Sequence, residues 1–460
     1  MENIRPNIPQ YLPDDQVQME TWHPDWVKSM VLAQMRVESA TDEGTFQAAI
    51  RVLDHYAAMG VNAIWLTPIN DKGETGNGYG NMGIHTINNA LTGKDNYEDS
   101  WKVFKWFVDE AHKRNIRILI DAIVWGTVKE SPLYKEHPDW YSGGLEVWGG
   151  YKWNWHSEGL REWYAEQMID IALKTGIDGY RVDLEPFVTG HQYIAGIRKR
   201  LLDMGKKICV IAECTSERDE AYDFDEQITN EDPERWNSHT MFTNLHNIVD
   251  AVKTGAGHGT IYTQDRGLGG MERFYCVCLS CHDNPRPCLE GDKIRAGYQA
   301  IFAPYIPLWF IGDDWINPLE PGRILFNNII RWELLEQPEN KKYNLAMTNM
   351  MRVRRLHPDI FDYFPQNHRE SNICKVDSNC NLQAYARYMG DHGVLVLPNT
   401  EKEAAEIKAV IPFADMGLDE NKTYEITEIL NGYTIQTDGK NVTVTIDAGD
   451  MAVVHIQAID

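Results

Sequence analysis

Residues 177–183 read Ile-Asp-Gly-Tyr-Arg-Val-Asp, and the reading of this run decides the fold. Ile177–Val182 reads as a short buried strand that closes on an acid, Asp183. A helix-like segment precedes it (Tyr164–Thr175) and another follows (Tyr193–Met204). The next apolar run, Ile208–Ala212, also closes on an acid, Glu213. Apolar runs separated by helices are the pattern of parallel strands covered on both faces.

The pattern extends both ways from this run. Met30–Val37, Val61–Leu66 and Ile116–Ile123 read as earlier strands, with helices predicted over Phe46–Met59 and Trp101–Arg114. Tyr222–Gln227 is a weaker sixth strand, and Phe274–Leu279 and Ile306–Ile311 complete the series. Eight strands over about 280 residues predict an α/β fold of (β/α)₈ barrel type rather than a doubly wound sheet. Asp121, Asp183 and Glu213 fall at strand carboxyl ends and Asp283 falls just beyond one. That end of a barrel carries its chemistry. Any one of these acids could instead cap a turn or a helix, but that reading fits poorly for all four.

Residues 125–159, after the third strand, are too long for an ordinary connection and read as a short excursion over the active face. They hold Tyr134, Trp140, Tyr141, Trp148, Tyr151, Trp153 and Trp155, seven of the chain's 36 Trp and Tyr residues. This concentration suggests faces on which sugar rings could stack. After about Phe364 the chain turns to short β segments punctuated by Asn431-Gly432 and Asp438-Gly439, the favoured hairpin dipeptides. The expected organisation is a catalytic barrel over 1–364 and a C-terminal antiparallel β-sandwich over 365–460.

With 44 basic and 68 acidic residues the chain carries a formal charge of −24, which disfavours nucleic acid and anionic membranes as partners. The first ten residues have no apolar signal-like core, and no apolar stretch is long enough to span a bilayer. The eight cysteines show no repeated CxxC pattern and read as reduced, buried thiols. Together these features lead to the expectation of a cytoplasmic location. Oligomeric state is left open.

Paired carboxyls about 5–5.5 Å apart are the equipment of retaining glycoside hydrolysis, and Asp183 and Glu213 on successive strands could supply them. The residues also resemble a known family. Gly179-Tyr180-Arg181-Val182-Asp183 is similar to the fourth-strand signature of the α-amylase family, glycoside hydrolase family thirteen. Ile211-Ala212-Glu213 resembles its fifth-strand acid motif, His282-Asp283 its seventh-strand motif, and Ile120-Asp121 the end of its third strand. Gly60–Pro68 resembles the second-strand motif and Gly78-Tyr79-Gly80 the loop after it. The motifs stand in the family's order.

The resemblance implies roles. Asp183 would be the nucleophile, Glu213 the acid/base, and Asp283 the third catalytic acid, binding sugar hydroxyls. Arg181 would orient Asp183 and keep it ionised; a purely structural salt bridge is its alternative. His282 would bind a hydroxyl of the same sugar, or be a core or capping histidine. Asp121 and Tyr79 would be substrate-binding residues, Tyr79 stacking on the reacting sugar.

The chain also departs from the family. Trp125 stands where the family often has a calcium-ligating Asn, so the common calcium site is expected to be absent and no metal or other cofactor is expected. Trp125 would either wall the pocket as a substrate-binding residue or join the core. Gly126 stands where the family has a sugar-contacting histidine, and Leu184-Glu185-Pro186-Phe187 and Cys214-Thr215 also differ. The function implied is a retaining α-glycosidase acting on α-glucosidic bonds of a carbohydrate substrate. The alternatives are a transglycosylase or glycosyl phosphorylase with the same chemistry, and a catalytically silent carbohydrate-binding relative.

Overall fold

A computed structural model of the protein describes residues 24–74, 76–145, 150–183, 191–213, 259–262, 273–278, 280–282, 297, 301–302, 306–315, 317, 329–362 and 372–459. The first barrel strands are β1 (Leu32–Met35), β2 (Ala63–Leu66) and β3 (Arg117–Ala122). A three-stranded side sheet follows, of β4 (Gly126–Val128), β5 (Tyr141–Leu145) and β6 (Gly150–Trp153). The barrel resumes with β7 (Gly179–Val182), β8 (Cys209–Ala212), β9 (Gly259–Tyr262), β10 (Arg273–Cys278) and β11 (Ile306–Phe310). Neighbours follow chain order, and β11 pairs back onto β1 to close the ring.

One strand corrects the expectation. β9 runs antiparallel to both β8 and β10, while the other barrel pairs are parallel. Its four residues, Gly-Thr-Ile-Tyr, are too few to stand out by periodicity. The sixth strand expected at Tyr222–Gln227 lies outside the described residues.

Alternation sorts each strand into an inner and an outer face. Leu32, Ala63, Leu119, Cys209, Cys276 and Ile306 pack inside the barrel, with Val27 and Met30 beside them at the amino end of β1. Two residues further along the same inner face come Gln34 on β1, Trp65 on β2, Asp121 on β3 and Arg181 on β7, all buried. The barrel thus stacks an apolar layer beneath a polar one at the strand carboxyl ends. Among the described residues Cys209, Cys276, Cys281, Cys374 and Cys380 are free thiols, and burial pushes Cys209 up to about 12.

The helix Phe46–Met59 has the bounds its spacing predicts, opening on Thr45, whose side chain accepts from the Ala48 N–H. Two others begin earlier than expected, at Tyr97 rather than Trp101 and at Glu158 rather than Tyr164. Asn96 and Ser157 cap them, and their first turns are largely polar, with Leu160 alone buried in that of the second helix, so apolar periodicity does not report them. No helix among the described residues is long and apolar enough to cross a membrane.

The excursion corrects a second expectation. Trp140, Tyr141, Trp153 and Trp155 are buried in the main core rather than presented as stacking faces. The Trp155 indole N–H donates to the Val124 carbonyl, and its ring packs on Tyr164 and Tyr193. Tyr134 and Tyr151 stack on each other at 3.7 Å. Trp148 lies outside the described residues.

Beyond the helix Pro338–Leu356 come two antiparallel sheets. One has β12 (Ile373–Lys375), β13 (Tyr385–Met389), β14 (His392–Asn399), β19 (Asp450–Ala458) and β16 (Tyr424–Glu428) in that order. The other has β15 (Ala405–Val410), β18 (Asn441–Ile446) and β17 (Ile435–Thr437). Leu395, Leu397, Ile407, Val442, Val444 and Val454 share their core. The fold is a (β/α)₈-type barrel with a C-terminal β-sandwich.

A close approach explains the glycine at 126. A Cβ there would lie 2.0 Å from the Tyr151 carbonyl oxygen on the paired strand β6, so no histidine fits the position without moving the side sheet. Gly126→Ala is expected to cost about 1–3 kcal/mol, read as an earlier midpoint in a urea melt. An unmoved midpoint would mean that the approach is not this close.

Candidate active site

Arg181 is the centre of the polar layer. One nitrogen of its guanidinium, Nη1, bonds Asp121 Oδ1 at 3.0 Å and Asp183 Oδ1 at 2.6 Å, and the other, Nη2, reaches Glu213 Oε1 at 2.7 Å. The three acids come from the ends of β3, β7 and β8, and register sets Asp121 directly beside Arg181. Arg181 is 2% exposed and Asp121 fully buried, and the guanidinium lies over the Trp65 ring at 4.8 Å. Charge-assisted bonds of this kind are stronger than neutral ones.

Among the described residues three carboxyls meet at this one guanidinium. Burial, and then the Glu213 carboxylate, push Asp183 up to about 8 against the pull of Arg181. Burial raises Asp121 too, opposed first by Arg181 and then by His282. Burial works against the Arg181 charge, but Glu213, Asp121 and Asp183 outweigh it and hold the guanidinium well above its ordinary value. Arg181 thus pulls Asp183 toward its ionised form, as expected, while burial and Glu213 act against it and hold the carboxyl above the usual carboxylate range.

A second group stands beside this one. His282 makes two bonds with Gln34: Gln34 Nε2 donates to the His282 ring Nδ1 at 2.7 Å, and the His282 backbone N–H donates to Gln34 Oε1 at 3.0 Å. Tyr79 stacks on His282, with centroids 4.8 Å apart and planes at 11°. The Tyr79 hydroxyl donates to Asp121 Oδ2 at 3.0 Å. Trp125 is buried, and its indole N–H donates to the Tyr79 carbonyl at 2.8 Å. It holds the Tyr79 loop from behind.

The fold thus brings together Asp121, Arg181, Asp183, Glu213, His282, Tyr79 and Trp125. Asp283, expected as the third catalytic acid, lies outside the described residues, one position beyond His282. Sequence reasoning missed Gln34 and Trp65. A signal existed for the first: Gln34 is a polar residue in an apolar buried strand, on the same face as Leu32.

Residues 21–143 match the family model described as the α-amylase catalytic domain. A cyclomaltodextrinase from Bacillus sp. is 26% identical over 412 residues, spanning 80% of this chain and 67% of its own. The amino-terminal part of this chain thus resembles the α-amylase catalytic domain, and most of the chain is similar to this α-amylase-family relative. Trehalose-6-phosphate hydrolase from Bacillus subtilis is 24% identical over 220 residues, 38% of each chain. The chain therefore spans little more than a third of the length of the trehalose-6-phosphate hydrolases it matches. An α-amylase from Geobacillus thermoleovorans, solved with acarbose, shares the fold at a TM-score of 0.71 and 14% identity, over 94% of this chain and 99% of that one.

The buried acids set a pH dependence of stability. A carboxyl raised above its unfolded value costs stability once the unfolded chain ionises, so the cost of Asp183 grows from about pH 4 and is complete above about pH 8. Asp183→Asn, which keeps an oxygen for Arg181, is expected to unfold at a higher temperature than the parent, the gap widening across that window. Parallel thermal melts at pH 4, 6 and 8 check this; a constant gap would contradict the raised value.

Proposed function

We infer that the protein is a retaining α-glycosidase that hydrolyses α-glucosidic bonds in oligo- or polysaccharides. The observation that carries this is one guanidinium bonded to both Asp183 and Glu213. It holds the two carboxyls on adjacent strand ends, consistent with the about 5–5.5 Å of a retaining pair. The chemistry needs one of the two groups as an acid and the other as a base.

In this reading Arg181 holds Asp183 Oδ1, and Oδ2 attacks the anomeric carbon. Glu213 gives its proton to the departing glycosidic oxygen as that bond breaks. Glu213 then takes a proton from water, whose oxygen attacks the same carbon and releases Asp183. Tyr79 and His282 form a wall for the sugar ring and its hydroxyls, and Asp283 binds hydroxyls of the same sugar, as the family resemblance implies. The names of the relatives, among them cyclomaltodextrinase and oligo-1,6-glucosidase, support α-linked glucosides as the substrate class.

The reading includes no calcium at Trp125, because that position offers a buried indole donor where calcium takes oxygen ligands. The free thiols suit a cytoplasmic setting.

Asp183→Asn and Glu213→Gln are each expected to lower kcat by about a thousandfold or more while leaving the circular dichroism spectrum unchanged. On an α-glucosyl fluoride, whose leaving group needs little protonation, Glu213→Gln is expected to recover much of its rate in the first step, whereas Asp183→Asn is not. A fluorinated glycosyl fluoride is expected to add one sugar mass to the peptide bearing Asp183. Near-full activity of either variant on an oligosaccharide would overturn the assignment.

A further inference from the structure

Three histidines meet where the barrel joins the terminal sheets. His357 lies between the helix Pro338–Leu356 and the short helix Pro358–Phe361, His392 opens β14, and His455 lies on β19. Pro358, next to His357, lines one cavity with Val31, Asn62 and Asn115, which precede β1, β2 and β3, so His357 stands at the end of the barrel away from the catalytic layer. β14 and β19 pair with each other, with Val394 opposite His455, which sets His392 diagonally across from His455. Ring nitrogens of all three lie within 4.8 Å of one another.

The geometry is that of a ligand set. His392 Nδ1 and His455 Nε2 are 3.1 Å apart. Two imidazole nitrogens on one tetrahedral zinc ion stand about 3.3 Å apart, given Zn–N bonds of about 2.0–2.1 Å. The His357 ring lies 4.5 Å from that of His455, centroid to centroid. His392 Nε2 is bonded to the Asp359 carboxylate, which fixes the proton on that nitrogen and leaves the Nδ1 lone pair turned toward His455. A carboxylate behind a ligating histidine is the usual support of a metal-binding imidazole. Burial, and then the neighbouring His357 and His392, keep His455 neutral. Neutral imidazole is the form that binds metal.

We propose that His357, His392 and His455 form a structural site for a divalent transition-metal ion of the zinc type, with Asp359 orienting His392 and solvent completing the coordination. The metal ties the end of the last barrel helix to two central strands of the terminal sheet. The ion is remote from Arg181 and takes no part in the reaction inferred above.

The test uses tag-free full-length protein, stripped with a chelator and desalted. Zinc chloride is titrated by calorimetry, and cobalt(II) by visible absorption. The expected result is one saturable zinc site per chain, a rise in Tm on loading, and cobalt bands of tetrahedral strength. His392→Ala and His455→Ala are each expected to weaken zinc binding at least a hundredfold and to abolish the Tm rise. Asp359→Asn is expected to weaken it by about ten- to a hundredfold without abolishing it. His357→Gln, in a connection between helices, provides a variant that leaves both sheet strands intact. Absence of saturable uptake by the parent protein, or uptake unchanged in His357→Gln and in the folded sheet variants, would overturn the proposal. Glycosidase activity enters none of these readouts, so failure here leaves the functional reading standing, and the reverse also holds.

Discussion

The arrangement at the barrel mouth depends on one buried cation. Arg181 is surrounded by acids from three strands, and each would be costly to bury alone. Removing the cation from such a buried cluster typically costs about 3–5 kcal/mol, because the acids left behind have no compensation. The guanidinium therefore fixes the relative positions of β3, β7 and β8 at the end where they carry acids. The apolar layer beneath, with Leu119 and Cys209 on two of these strands, excludes the water that would otherwise screen the cluster.

Much of this was legible in the sequence because it is local. Ile177–Val182 and Ile208–Ala212 each show a buried strand with its acid immediately after it, and in-register pairing turns that repetition into proximity. The helix Phe46–Met59 emerges with its predicted bounds, since period and turn chemistry agree there. The helix starts at Tyr97 and Glu158 were hidden in largely polar first turns, although Asn96 and Ser157 were visible as caps.

What could not be read is what depends on distant partners. Gln34 carries no motif, and its importance comes from a histidine 248 positions away. The direction of β9 is set by its neighbours β8 and β10 rather than by its four residues. The cluster of His357, His392 and His455 has no local spacing at all, because sheet register assembles it. The tryptophans of the excursion misled for the opposite reason. Composition reported their number correctly, but an aromatic-rich segment folded against a barrel satisfies itself first, and Trp153 and Trp155 are spent inside it.

The stack of Tyr79 on His282 has a further consequence. Gln34 grips the histidine at both its ring and its backbone, Asp121 accepts from the tyrosine hydroxyl, and Trp125 ties down the tyrosine carbonyl. Both rings have therefore given up their rotational freedom during folding, before any ligand arrives. Ordering a rotamer-rich side chain at a binding site costs about 0.5–1.5 kcal/mol, and here that entropy has already been lost. Such a wall is preorganised: it rewards a ring of matching shape and has little capacity to adapt to one that does not match.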